Sequence, residues 1–222
     1  IPINIGALLL NMYEPIKLAE DMVILDIISG GRGSYVIGLG YRKEEYDMFG
    51  VDITKRAPVI EDKLEALLNA LKGEPFDYQG RPVHVTPAVP GQAISVSYGG
   101  HSVAAAKRAG KFGLNFFANG GEQSLNEVYI EAAKEAGHEP GFAAIPGPGS
   151  PTTVYVAEDL DQAWNEYGAY MLYDAKIYND WGGTYKTSNI SKATTSEQMR
   201  AEKGAYQILT PEEAVASIQS GL

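Results

Sequence analysis

Five times in succession a short apolar run gives way to a run whose apolar residues recur at helical spacing, and that alternation constrains the fold more than any other feature. "INIGALLL" (3–10) leads into a run from Pro15 to Ile28 with Ile16, Ala19, Val23 and Ile27 on one face. "SYVIGLG" (34–40) leads into Ile60, Leu64, Leu67, Leu68 and Leu71. Further strands are expected at 93–98, 113–118 and 152–159, with helices from Ser102, from Leu125 to Ala136, and from Leu160 to Met171. A small hairpin turning at Gln79-Gly80 interrupts the alternation without ending it. Strands that read as apolar on both faces and are joined by helices pair in parallel beneath a helical cover, which makes the chain an α/β protein. An open doubly wound sheet and a closed eight-stranded barrel both satisfy this, and periodicity does not choose between them.

With 222 residues the chain can bury a substantial core, and we read residues 1–222 as one domain. A net charge of −10, spread along the sequence, argues against a phosphate-backbone partner, so no nucleic acid is expected. No window approaches the roughly 18 apolar residues of a bilayer span, so no membrane is expected either, and the chain reads as cytoplasmic. The absence of cysteine removes thiolate nucleophiles and cysteine-based metal sites, and His84, His101 and His138 share no ligand spacing. No metal is expected. The chain opens on Ile1-Pro2, directly into a strand-like run, which points to an upstream portion.

Residues 182–209 are polar, rich in Gly, Ser and Thr, and without sustained period, which predicts a mobile lid or linker. Order returns at Thr210, where Pro211 and Glu213 complete an N-cap, first-turn proline and capping box.

The stretch "SYGGHS" (97–102) delivers Gly99 and Gly100 from a strand end to a helix start at Ser102. Amides without side chains at the positive end of a helix suit a phosphate; the alternative is that the glycines serve the turn and Ser102 caps the helix. In "SGGRGSYVIGLG" the glycines at 30, 31, 33, 38 and 40 do not spell a dinucleotide fingerprint and precede the strand rather than follow it. Arg32 is expected to anchor that turn through carbonyls. Gly38 and Gly40 either admit a flat ligand or relieve crowding, and Glu44, Glu45 and Asp47 read as a solvated face. Tyr167, Tyr170, Tyr173 and Tyr178, with Trp164 and Trp181, read as core or subunit interface. His101 reads as a local cap or hydrogen-bonding group.

The strings "IGALLLNMYEPIKLAEDMVILDIISGGRGSYVIGLGYRKEEYDMFGVD", "ISVSYGGHSVAAAKRAGKFG" and "YQILTPEEAVA" resemble the bacterial luciferase-like monooxygenases, a flavin- or F420-dependent superfamily built on a (β/α)8 TIM barrel. The resemblance selects the barrel. It covers about five βα units, from about the third strand to before the eighth, so the barrel is expected to be incomplete in this chain. It implies a reduced cofactor in the carboxyl-end mouth, with its phosphate against Gly99, Gly100, His101 and Ser102. The ring would back onto a bulge near Gly6, Ala7 and Leu8, where the family often carries a non-prolyl cis peptide. Leu39, Gly40 and Tyr41 would flank ring or phosphate. Some relatives place an arginine for the phosphate near Leu39; this sequence does not. The family's acid–base residues come from strands before this chain, so no catalytic residue is named.

The resemblance implies a monooxygenase that uses reduced FMN and oxygen on a small organic substrate. Its rivals are hydride transfer with coenzyme F420 and a non-catalytic flavin-binding barrel fragment. An ordinary sugar-phosphate barrel enzyme is disfavoured because no lysine stands at a strand end. Open sheet edges imply a homo-oligomer or a partner that completes the barrel.

Overall fold

The computed structural model describes residues 1–88, 94–118, 120–147, 150–182 and 190–220. It falls into two compact units, Ile1–Ala118 with Ser124–Ala144, and Asn119–Gln123 with Ile145–Leu222.

In the first unit the order is β1 (Ile3–Leu9), α1 (Pro15–Ser29), β2 (Gly33–Gly38), α2 (Lys43–Met48), α3 (Arg56–Leu71), β3 (Phe76–Tyr78), β4 (Arg81–Val83), β5 (Ser95–Gly99), α4 (Val103–Lys111), β6 (Asn115–Phe117), α5 (Ser124–Glu135) and β7 (Ala143–Ala144). The strands β1-β2-β5-β6-β7 form one parallel sheet in that order, and β3 and β4 form the expected hairpin. Its turn residues Gln79 and Gly80 both have positive φ, as a tight two-residue hairpin requires. Residue 93, the expected start of β5, lies outside the described residues.

Local chemistry accounts for the element ends. Pro15 opens α1 behind Glu14, whose Oε2 accepts the Lys17 amide at 2.7 Å, and Gly30 closes it in the left-handed conformation. Arg32 secures the next turn by donating from Nε to the Ser29 carbonyl (2.6 Å) and from Nη1 to the Ile1 carbonyl (3.0 Å), as its position suggested. One face of the sheet carries Tyr35, Ile37, Tyr98 and Phe116, all buried together with Ala19 and Met22 of α1 and Ile60, Leu64 and Leu67 of α3. Each such side chain contributes about 1.5–3 kcal/mol by leaving water. Gly110 lets α4 and α5 approach closely, because a Cβ there would stand 2.6 Å from the Tyr129 carbonyl oxygen.

The other face corrects the expectation of strands apolar on both sides. Alternation places Gly6, Val36, Ser97 and Asn115 side by side across β1, β2, β5 and β6, with Asn4, Ser34 and Ser95 in the preceding row. This face is small and polar. Asn4, Gly6 and Ser95 on it are exposed, while Val36 is buried.

The second unit contains β8 (Thr153–Val156), α6 (Leu160–Gly182), α7 (Ser196–Glu202), β9 (Tyr206–Leu209) and α8 (Pro211–Gln219). The expected fifth strand at 152–159 therefore does not extend the five-stranded sheet. It pairs in parallel with β9, from Thr153↔Tyr206 to Val156↔Leu209, while the short Ala143–Ala144 strand takes the place beside β6. The 182–209 stretch, expected to lack regular structure, contains α7 and β9; residues 183–189 lie outside the described residues. Of the aromatic stripe only Trp164 joins the unit's core, with Met171, Ala175, Met199 and Tyr206, whereas Tyr170 and Tyr173 are 74% and 67% exposed. That overturns a core role for these tyrosines. The Thr210 capping box is present in full, Glu213 N to Thr210 Oγ1 at 3.2 Å and Thr210 N to Glu213 Oε2 at 2.9 Å. Among the described residues no helix is long and apolar enough to cross a membrane.

Candidate functional site

Parallel pairing brings the carboxyl ends of β1, β2, β5, β6 and β7 to one end of the sheet, where ligands of α/β proteins gather. There the register of β1 against β2 slips: Gly6 pairs with Val36 but Leu8 with Ile37, so Ala7 is the extra residue of a bulge. The Gly6-Ala7 peptide is cis, within the Gly6–Leu8 stretch where the family resemblance implied one. Gly38 lies opposite, and a Cβ on it would approach the Ala7 Cβ to 3.1 Å and Leu9 Cδ2 to 3.3 Å. Glycine at 38 therefore keeps the bulge and strand β2 in contact.

Beyond β2, Leu39, Gly40 and Tyr41 turn toward α2, with Gly40 at φ +78°. Tyr46, fully buried in α2, donates its hydroxyl to the Leu39 carbonyl and accepts from Asn11 Nδ2 at 2.9 Å. Asn11 Nδ2 also donates to the Arg56 carbonyl at 2.9 Å. These bonds fix the Leu39–Tyr41 turn to the end of β1. The sequence reading saw the charges around Tyr46 and not the tyrosine; its signal was an aromatic residue in an otherwise charged helix. The charges behave as a solvated face, Lys43 pairing with Asp47 at 2.6 Å and Arg42 with Glu45 at 3.0 Å.

At the glycine turn the structure separates roles that the sequence had merged. The Gly100 amide donates to the Phe117 carbonyl at 3.2 Å, and Ser102 Oγ accepts the Ala105 amide at 3.2 Å. The Gly100 amide is therefore not an open donor, which corrects the expectation for that group, whereas Ser102 acts as the helix cap by accepting and keeps its own O–H as a donor. Both glycines are required by packing: a Cβ on Gly99 would meet Val36 Cγ1 at 2.9 Å, and one on Gly100, at φ +149°, would meet the Ala105 Cβ at 2.7 Å. His101 is half-buried between them and the helix. What this turn presents at the α4 N-terminus is the pair of first-turn amides, Val103 and Ala104, which have no acceptor one turn earlier in the helix. The sequence signal for them is the Ser102 cap, which makes the next two amides the first of the helix.

Helix α4 is held from behind. Buried Arg108 donates from Nη1 to the Tyr98 hydroxyl (3.2 Å) and from Nε to Glu61 Oε1 (3.1 Å), while its guanidinium lies 5.5 Å from the Tyr98 ring centre. Burial raises the Tyr98 pKa above the ordinary tyrosine range, keeping the phenol neutral. The Lys111 ammonium at 2.7 Å, and then Arg108, hold the Glu61 carboxyl below the usual carboxylate range against an opposing effect of burial.

The strand ends thus offer a shallow, small-residue surface with two helix-terminal amides beside it. Ser97 lies on this face and was not singled out from the sequence, although the alternating serines of "SVSYG" carry the signal, whereas Asn115 opens β6 at the opposite end and its Oδ1 accepts the Phe142 amide at 2.9 Å.

The sequence model described as luciferase-like monooxygenase matches residues 1–218. An uncharacterized protein of Sinorhizobium fredii is 33% identical over 87 residues, 39% of this chain and 24% of that protein. The chain spans about a quarter to a half of the curated relatives it matches best. Among solved structures, monooxygenase RslO1 from Streptomyces bottropensis has a TM-score of 0.68 at 19% identity, covering 99% of this chain and 67% of that one. The oxygenating constituent of 3,6-diketocamphane monooxygenase from Pseudomonas putida, in complex with FMN, has a TM-score of 0.63 at 22% identity, covering 95% and 72%. The coenzyme F420 dependent tetrahydromethanopterin reductase from Methanopyrus kandleri has a TM-score of 0.59 at 17% identity, covering 97% and 80%.

Proposed function

Starting from the chain's membership of the luciferase-like monooxygenase family and its TIM-barrel α/β fold, we propose that it is part of an oxidoreductase that uses reduced FMN and oxygen on a small organic substrate. The observation that carries this reading is the bulge at Ala7, packed closely against Gly38 at the carboxyl end of the sheet and made of small residues. Reduced FMN would supply the electrons that activate oxygen; the protein's work is position and dryness.

In this reading Gly6, Ala7 and Leu8 back the ring, and Leu39, Gly40 and Tyr41 flank it, with Tyr46 and Asn11 holding that turn in place. The phosphate meets the Val103 and Ala104 amides at the positive end of α4, beside Gly99, Gly100, His101 and Ser102. Gly100 and Ser102 act by shaping the turn. Phe117, 43% exposed at the end of β6, supplies an apolar wall that helps exclude water. The reading keeps the cytoplasmic location expected from the acidic sequence. It acts as a homo-oligomer or with a partner that completes the barrel, a reading supported by exposed Ile24, Leu25 and Ile28 on α1 and measurable by light scattering.

The test uses a substitution that removes one donor without disturbing the turn. Ser102 has φ −121° and ψ 157°, the conformation favoured before proline, and proline is well tolerated at the first helical position. Val103→Pro therefore deletes one first-turn amide from a folded protein. Fluorescence titration is expected to show FMN binding at least tenfold weaker in V103P, with riboflavin, which lacks the phosphate, unchanged. Equal FMN binding by both proteins rejects the phosphate assignment. Binding of F420 but not FMN would replace oxygen insertion with hydride transfer as the reaction. FMN binding with no substrate-dependent oxygen uptake would leave a non-catalytic flavin-binding barrel.

A further inference from the structure

A cavity of about 380 Å³ lies in the first unit beside the β3–β4 hairpin, at the lower end of the range for small-molecule sites. It does not include the bulge or the glycine turn. Its walls combine three aromatic rings, Tyr13, Phe49 and Tyr78, with two cations, Lys63 and Arg81. Tyr13 and Phe49 are 44% and 60% exposed, so apolar surface is already turned toward solvent at its rim.

The polar groups are placed by the scaffold. Lys63 Nζ donates to the Asn11 carbonyl at 2.8 Å and to the Tyr13 carbonyl at 2.7 Å, leaving one of its three N–H donors over. Burial lowers its pKa from the ordinary lysine value, against opposing attraction from Glu14 and Asp62. Arg81 pairs across the hairpin with Tyr78, so the two side chains share a face, and among the described residues it has no carboxylate partner. Tyr78 donates to Asp62 Oδ2 at 2.9 Å, and Gln79 donates to the same oxygen at 3.3 Å. Glu14, the one carboxylate in the wall, is engaged as the α1 cap.

We infer that this cavity binds a small aromatic carboxylate. The ring lies among Tyr13, Phe49 and Tyr78, and the carboxylate meets Arg81 and the spare Lys63 donor. The inference rests on the cavity alone and does not depend on the cofactor reading.

Isothermal titration of the 222-residue protein with 4-hydroxybenzoate tests it, with 4-hydroxybenzamide as the neutral match. Saturable binding of 4-hydroxybenzoate is expected, at least tenfold weaker for the benzamide. Arg81 is exposed, so Arg81→Gln should fold and weaken 4-hydroxybenzoate at least fivefold. Lys63→Met should weaken it similarly, and V103P should leave it unchanged. Absence of saturable binding, equal binding of the benzamide, or full affinity in R81Q overturns the inference.

Discussion

Replacing Gly100 with alanine separates a glycine required by the fold from one kept for a ligand. Two costs follow from the geometry. The residue sits at φ +149°, in a region that L side chains rarely occupy, at about 1–3 kcal/mol. The new Cβ would lie 2.7 Å from the Ala105 Cβ, far inside ordinary contact, and Ala105 is buried at the start of α4 with no space to retreat. Overpacking of that kind costs about 1–3 kcal/mol, so the expected loss is about 2–6 kcal/mol, a large share of a domain's usual 5–15 kcal/mol. Gly80→Ala provides the comparison: Gly80 also has positive φ (+71°) but nothing within 4 Å of its Cβ position, so only about 1 kcal/mol should be lost. Tryptophan fluorescence would miss the effect, because Trp164 and Trp181 both lie on α6 in the second unit. Hydrogen exchange of the α4 and β6 amides, without cofactor, reads the correct unit. A Gly100→Ala protein no less protected there than Gly80→Ala would refute the packing argument.

The remaining expectations concern the same unit. Ser102→Ala removes the α4 cap and should cost about 1 kcal/mol, visible as faster exchange in the first turn of α4. Because Glu61 titrates below the ordinary carboxylate range in the folded chain, its contribution is complete above that range and is lost as pH falls through it toward the lowered value. Unfolding measured from pH 6 to 3 should show a shallower acid loss for Glu61→Gln, by a modest amount because the side chain is 34% exposed. Tyr78 moves the other way, pushed up to about 12 by burial and then by its bond to Asp62, so its contribution holds below the usual tyrosine value near 10 and fades as pH rises toward 12. Tyr78→Phe should flatten the alkaline limb of stability; an unchanged limb would assign the loss to other groups.

What the sequence settled on its own was local. Helical period, the Glu14–Pro15 start of α1, the Gln79-Gly80 turn, the Arg32 anchor and the Thr210 capping box each involve residues close enough in the chain for their chemistry to be read directly. The Ala7 bulge does not belong with these: the residues alone read as a plain strand, its place was implied by the family resemblance, and the register of β1 against β2 shows it. Tertiary structure decided whatever depends on pairing between distant segments. Ala143–Ala144 has almost no strand signal and is recruited by the hydrogen-bonding edge of β6, whereas the strongly strand-like 153–156 finds its partner at 206–209 instead. The Gly100 amide reads as open until Phe117 arrives to accept it, and Tyr46 reads as an ordinary helix residue until Leu39 and Asn11 meet its hydroxyl. A period of two or 3.6 records which way a side chain points; only the folded register determines what stands opposite it.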